Sequence, residues 1–321
     1  MNKFLIKSGK SGLVFTCVLI LVAAAFGQTS LRKALDYNGD GKADFTVFRP
    51  STNIWYIKDS SGNFRYVYFG SGTMDIPAPG DFDGDGKGDI SVWRETTGTW
   101  YRLNSSNNTF VAVRFGQTND APVARDYDGD GKTDIAVVRK VNGSLFWYVM
   151  GSMRGFYAAQ FGSASDFAAP GDYDGDGKFD FAVQRPGTNS FDQAIFYILR
   201  TGDGTLQSIP FGFSDDAVVP GDYDDDGKTD IAVVRDGATP ESALTWYIRK
   251  SSDGNLLAYT LGITGSDLTV QNDYDGDGKT DVAVWRETNG TFYIRKSSDG
   301  GTIAVQWGTN GDYPVAVYDT H

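Results

Sequence analysis

The sequence predicts an all-β fold, a β-propeller of four-stranded blades, and three observations lead there. The first is composition. Among 321 residues there are 40 Gly, 38 Asp and only 3 Glu, set against 17 Tyr, 21 Phe and 7 Trp. Gly and Asp are poor helix-interior residues, whereas the aromatics favour strands. The second is recurrence. The segment Asp126-Tyr-Asp-Gly-Asp-Gly-Lys-Thr-Asp134 returns with small changes, starting at Asp36, Asp81, Asp126, Asp172, Asp222 and Asp273. The intervals of 45 to 51 residues suit one supersecondary unit per repeat. The third is that each interval holds several short extended runs separated by turn residues.

Taken in chain order, residues 1–27 have the layout of a secretory signal peptide: Lys3, Lys7 and Lys10, then an apolar run from Leu13 to Phe26, then small residues ending at Gly27. The run is too short for a spanning helix, so no membrane insertion is expected once it is removed. Residues 28–321 then form a single domain, secreted or held at the cell surface. The whole chain's formal charge of −12 argues against nucleic acid as a partner. The one Cys is Cys17 and the one His is His321, so zinc cages and His-based or Cys-based catalysis have almost no material.

Within each unit the Asp-rich loop leads into an apolar run ending in Arg, such as Ile135 to Arg139. A turn and an aromatic run follow, for example Trp100-Tyr101 or Trp246-Tyr247. A second turn leads to a run closing in Phe-Gly or a variant: Phe69-Gly70, Phe115-Gly116, Phe161-Gly162, Phe211-Gly212, Leu261-Gly262 and Trp307-Gly308. One more short extended piece returns to the next loop. Four strands per repeat make a blade, and strands apolar on both faces are expected when each blade is sandwiched between two others. Six complete sets of second, third and fourth strands favour six blades over seven. Tyr313 to Tyr318 then closes the ring by pairing near Phe45 to Arg49, which removes an exposed edge.

The loops between the first and second strands carry the strongest chemistry. Oxygen ligands fall at positions 1, 3, 5 and 9, with a backbone carbonyl at position 7. The sets are Asp36, Asn38, Asp40, Lys42 and Asp44; Asp81, Asp83, Asp85, Lys87 and Asp89; and Asp126, Asp128, Asp130, Lys132 and Asp134. The later units supply Asp172, Asp174, Asp176, Lys178 and Asp180; Asp222, Asp224, Asp226, Lys228 and Asp230; and Asp273, Asp275, Asp277, Lys279 and Asp281. Oxygen-only ligands at this density suit a hard cation, Ca²⁺ before Mg²⁺, about six ions in all. Position 12, which an EF-hand fills with Glu, is Val47, Val92, Val137, Val183, Val233 and Val284, so the loop must join strands rather than helices. In the fifth loop Asp225 replaces the fourth-position Gly.

The D-x-D-x-D-G-x-x-D loop, the Phe-Gly pair and the Ala-Pro that follows it (Ala121-Pro122, Ala169-Pro170) resemble the FG-GAP repeat, also called the VCBS repeat. The resemblance covers almost all of residues 28–321, although Val219-Pro220 and Leu261-Gly262 depart from it. It implies an integrin alpha-chain-like β-propeller with Ca²⁺ loops on one face of the disc and ligand contacts on the other.

Arg49, Arg94, Arg139, Arg185, Arg235 and Arg286 end the second strands, away from the metal loops. They form either a cationic ring for an acidic glycan or, because Asp75, Asp120, Asp166, Asp216, Asp267 and Asp312 lie at the same end, internal ion pairs. The Trp-Tyr pairs either stack on sugars or send one ring to each neighbouring blade. The expected function is a monomeric binding or adhesion module for a glycan or an extracellular protein. The alternatives are a polysaccharide lyase-like enzyme, for which no catalytic constellation is visible, and a purely structural propeller.

Overall fold

The computed structural model describes residues 33–316, so the expected signal peptide of residues 1–27, Cys17 and His321 lie outside the described residues. Six four-stranded antiparallel sheets follow one another around a ring. Blade two is typical, with Asp75–Pro77 innermost, then Ile90–Arg94, Thr99–Leu103 and Phe110–Arg114 at the rim. Blade three runs from Asp120–Pro122 and blade four from Phe167–Ala168. Blades five and six begin at Ala217–Val218 and Asp267–Thr269. Blade one takes Phe45–Arg49, Ile54–Lys58 and Phe64–Tyr68 from the start of the repeats. Its inner strand is Tyr313–Pro314, which pairs Val47 with Pro314 and Phe48 with Tyr313. The expected six blades are present, and the expected closure is seen for Tyr313–Pro314, while Val317 and Tyr318 of the expected closing segment lie outside the described residues.

The second strands pack as expected. Val47, Val92, Val137, Val183, Val233 and Val284 are all fully buried, which gives the missing EF-hand Glu a physical reason. A carboxylate there would stand in the apolar layer between blades. The outer strands correct the expectation of two apolar faces, because they alternate exposed and half-buried residues, as in Phe110–Arg114. A rim strand has a neighbour on one side only.

The aromatic pairs divide between neighbouring blades. Trp147 is fully buried and lies 5.1 Å from Phe181 of blade four, while Tyr148 packs on the blade two cluster around Trp93 and Trp100. The indole nitrogens of Trp100, Trp147 and Trp246 donate to the carbonyls of Phe115, Phe161 and Leu261 at 2.9–3.0 Å. The Gly after each of those carbonyls has positive φ, 113° at Gly116 and 105° at Gly262. A Cβ at Gly262 would stand 2.7 Å from Leu244, so the Phe-Gly pair is demanded by backbone turn and packing together.

Candidate metal centre

Each loop is held by its own carboxylates. The first-position Asp126 accepts from the amides of Gly129 and Gly131 at 2.7 and 2.8 Å, which curls the chain around it. The ninth-position Asp134 accepts from the Tyr127 amide at 2.9 Å and closes the turn. The same pattern holds in the other five loops. The second-position tyrosines Tyr127, Tyr173, Tyr223 and Tyr274 are buried and donate their hydroxyls to the carbonyl of the residue just past the inner strand, four residues back, at 2.7–2.8 Å. Loop and inner strand are thereby locked together.

The structure brings positions 1, 3 and 9 together in four loops. Carboxylate oxygens of Asp126, Asp128 and Asp134 lie within 4.8 Å of one another, as do those of the sets Asp172, Asp174, Asp180; Asp222, Asp224, Asp230; and Asp273, Asp275, Asp281. In blade two the grouped residues are Asp81, Asp83 and Asp85. The first loop has Asn38 at position 3, and Asp36, Asp40 and Asp44 form no such carboxylate group. Most fifth-position Asp side chains stay at the rim, where Asp40, Asp85, Asp130, Asp176, Asp226 and Asp277 accept from the seventh-position Lys amide at 2.9–3.0 Å.

Crowding and burial mark these groups electrostatically. Burial raises Asp44, Asp134, Asp172, Asp180 and Asp230 from the ordinary carboxylate value to about 7, and Asp89, Asp126, Asp222 and Asp281 to about 6; neighbouring Asp residues add to the rise. Buried Oδ1 atoms of Asp44, Asp128 and Asp224 have no hydrogen-bond partner. Oxygen-only donors, close mutual spacing and orphaned buried oxygens together fit a hard divalent cation.

The sequence reading missed two features of the loops. The first is the hairpin between third and fourth strands, which folds onto the loop: the amides of Ser105, Ser152, Thr201, Ser251 and Ser297 donate to the ninth-position Asp at 2.6–2.9 Å. Its signal was a Ser or Thr recurring in the same turn of each unit. The second is a hydrogen-bonded ring. The eighth-position amide of each loop donates to the first-position carbonyl of the preceding one: Gly88 to Asp36, Thr133 to Asp81, Phe179 to Asp126, Thr229 to Asp172, Thr280 to Asp222 and Ala43 to Asp273, all at 2.6–2.8 Å. No local sequence signal marks a contact between units.

At the opposite end all six Arg residues are engaged in the chain. Arg139 donates from Nε and Nη2 to Asp120 at 2.6 and 2.8 Å and lies 4.4 Å from the Tyr148 ring centre. Arg49–Asp312, Arg94–Asp75, Arg185–Asp166, Arg235–Asp216 and Arg286–Asp267 repeat the arrangement over Tyr56, Tyr101, Tyr197, Tyr247 and Tyr293. The Asp side chains are at most 2% exposed, so of the two readings internal pairing is the observed one.

Fold and loops define a six-bladed β-propeller in which an acidic loop opens the second strand of every blade. The family model of the FG-GAP-like repeat matches residues 36–92, 81–137 and 126–183, and the protein is an FG-GAP-repeat β-propeller. No curated protein matches the chain. Among solved structures it is similar to a mutant of AofleA from Arthrobotrys oligospora, at 10% identity and TM-score 0.51, covering 91% of this chain and 92% of that one. It is also similar to an Agrocybe aegerita lectin that recognises non-reducing terminal N-acetylglucosamine, at 16% identity and TM-score 0.51, covering 84% and 78%. A functionally unknown protein from Desulfotomaculum acetoxidans DSM 771 matches at 11% identity and TM-score 0.48, covering 85% and 99%. At these identities the likeness is one of fold.

Proposed function

We propose that the protein is an exported, calcium-stabilised propeller that serves as a monomeric binding module for a glycan or protein at the cell exterior. The observation that carries the calcium assignment is the set of buried, unpartnered carboxylate oxygens in loops whose Asp side chains converge. Asp at positions 1, 3 and 9 would hold the ion, with position 5 at the rim, and Asn38 gives the first site one charge fewer. A bound Ca²⁺ supplies the positive charge that these loops otherwise lack. The basic and apolar leader in residues 1–27 supports export, and a lectin of similar fold supports a recognition role.

Metal analysis of the purified protein tests the first half of the reading, with about six Ca²⁺ expected. Asp128→Ala should lower that number by about one, because it removes a ligand from a single loop. Loss of all ions together would show that the ring of interloop hydrogen bonds couples the sites. Glycan-array binding with and without EDTA tests the second half.

A further inference from the structure

While the repeated Arg residues are engaged at one end of the disc, a different set of cations gathers at the loop end. Between blades four and five a cleft of about 310 Å³ is walled by Arg200, Lys228, Arg249 and Lys250, with no Asp or Glu in its lining. This is unexpected in a chain of formal charge −12. Among the described residues Lys228 and Arg249 have no carboxylate within 4.0 Å. Arg200 and Lys250 approach Asp174 and Asp224 only to 3.8 and 3.6 Å, and Lys250 also reaches the outlying Asp253 at 3.0 Å.

The cleft is a break in the repeat. At the end of the third strand blades one to three read Lys58-Asp59, Leu103-Asn104 and Met150-Gly151, whereas blades four to six read Leu199-Arg200, Arg249-Lys250 and Arg295-Lys296, with a cation at the second place in each. The next cleft, between blades five and six, shares Lys250 and adds Lys279, Arg295 and Lys296 beside Asp224 in about 280 Å³. In the first cleft four half-buried cations share only the distant Asp174 and Asp224 and the outlying Asp253, so they repel one another, and a ligand carrying a negative charge relieves that repulsion.

We propose that the cleft between blades four and five binds an acidic sugar, of the uronic acid class, through the carboxylate. The proposal rests on the binding-module reading and names its ligand and place. Arg249 offers a planar fork that matches a carboxylate, and Lys228 and Arg200 add charge beside it. Ile209 in the wall supplies apolar surface for a sugar ring, and Gln207 a polar group for its hydroxyls. The volume holds on the order of one or two sugar rings, at the lower end of ligand pockets. A densely charged polymer such as nucleic acid would meet the acidic remainder of the surface, which disfavours it.

The test is calorimetric titration of the full-length protein in Ca²⁺ with trigalacturonate, neutral cellotriose and an Asp-rich peptide. Trigalacturonate alone should bind. Arg249→Gln should weaken it about 10-fold to 100-fold, and Arg249→Lys, which keeps the charge but loses the planar fork, by a smaller factor, with calcium content and melting temperature unchanged. Should Arg249→Gln fold poorly, Arg249→Lys, which keeps the charge and most of the stem, carries the test. Equal binding of cellotriose, tighter binding of the peptide, or full affinity in both variants overturns the assignment. If no saccharide binds while EDTA still lowers stability, the cleft assignment fails and the calcium scaffold stands. Binding that persists where no Ca²⁺ is found reverses that outcome.

Discussion

At one end of the disc each carboxylate meets a guanidinium in a two-point contact laid over a tyrosine ring, and the pair is complete within the chain. At the other end the carboxylates meet mainly backbone amides and one another. The chain cations that approach the first-position and third-position acids stay at 3.6–3.9 Å. The two ends contain similar residues and differ in where the compensating charge comes from. Burying a carboxylate is tolerable when a partner is supplied; this protein supplies one at the Arg end, whereas at the loop end the compensating charge is the part the proposed Ca²⁺ would play.

The largest effect expected from this contrast is that of ion removal. With free Ca²⁺ about 100-fold above each dissociation constant, one site contributes about 2.7 kcal/mol, so emptying six should lower the melting temperature by more than about 10 °C. Raising salt without chelator should change it little, because the Arg pairs are held in largely buried geometry. A melting curve that ignores EDTA would erase the contrast.

The next effect is of pH on the ion-free protein. The loop carboxylates are pushed up to about 6 or 7 in the folded state from the ordinary 3.8. Folded-state values above unfolded ones mean that their contribution is full below about 4 and is lost as pH rises through 6 to 7. Melting in EDTA should therefore rise as pH falls from about 8 to 5. In Ca²⁺ the trend should reverse, since protons compete with the ion. Parallel curves in the two buffers would count against the loops as the ion's site.

Smaller changes sharpen the two ends separately. Arg139→Ala should cost about 2–3 kcal/mol by chemical denaturation while leaving calcium content intact, because Asp120 stays buried without its partner. The loss is below that of a fully buried pair because the Arg139 side chain is 22% exposed. At the loop end, Asp225 sits at φ 63° where four of the other loops place glycine at 78–82° and the sixth at 80°. Asp225→Gly keeps the amide that donates to Asp222 at 2.6 Å and relieves the left-handed backbone. Part of the gain is offset by a freer unfolded chain, so a rise of about 0.5 kcal/mol is expected. A loss instead would show that the Asp225 side chain, which reaches toward Gly278 of the sixth loop, carries a contact of its own.

The sequence alone determined the blade and its loop. A nine-residue acidic turn, a Val at the twelfth position and a Phe-Gly pair are short-range patterns whose geometry follows from chain stereochemistry, and their recurrence counted the blades. It also placed each Arg at the same end as an Asp, but pairing at 2.6 Å depends on inner and second strands lying in register, which the closed sheet supplies. The link from each loop to the next, the hairpin serines over the ninth-position Asp, and the gathering of Arg200, Lys228, Arg249 and Lys250 across two blades were decided only by tertiary structure. Those groups are far apart along the chain, and only the curvature that closes six blades into a ring brings them to one place.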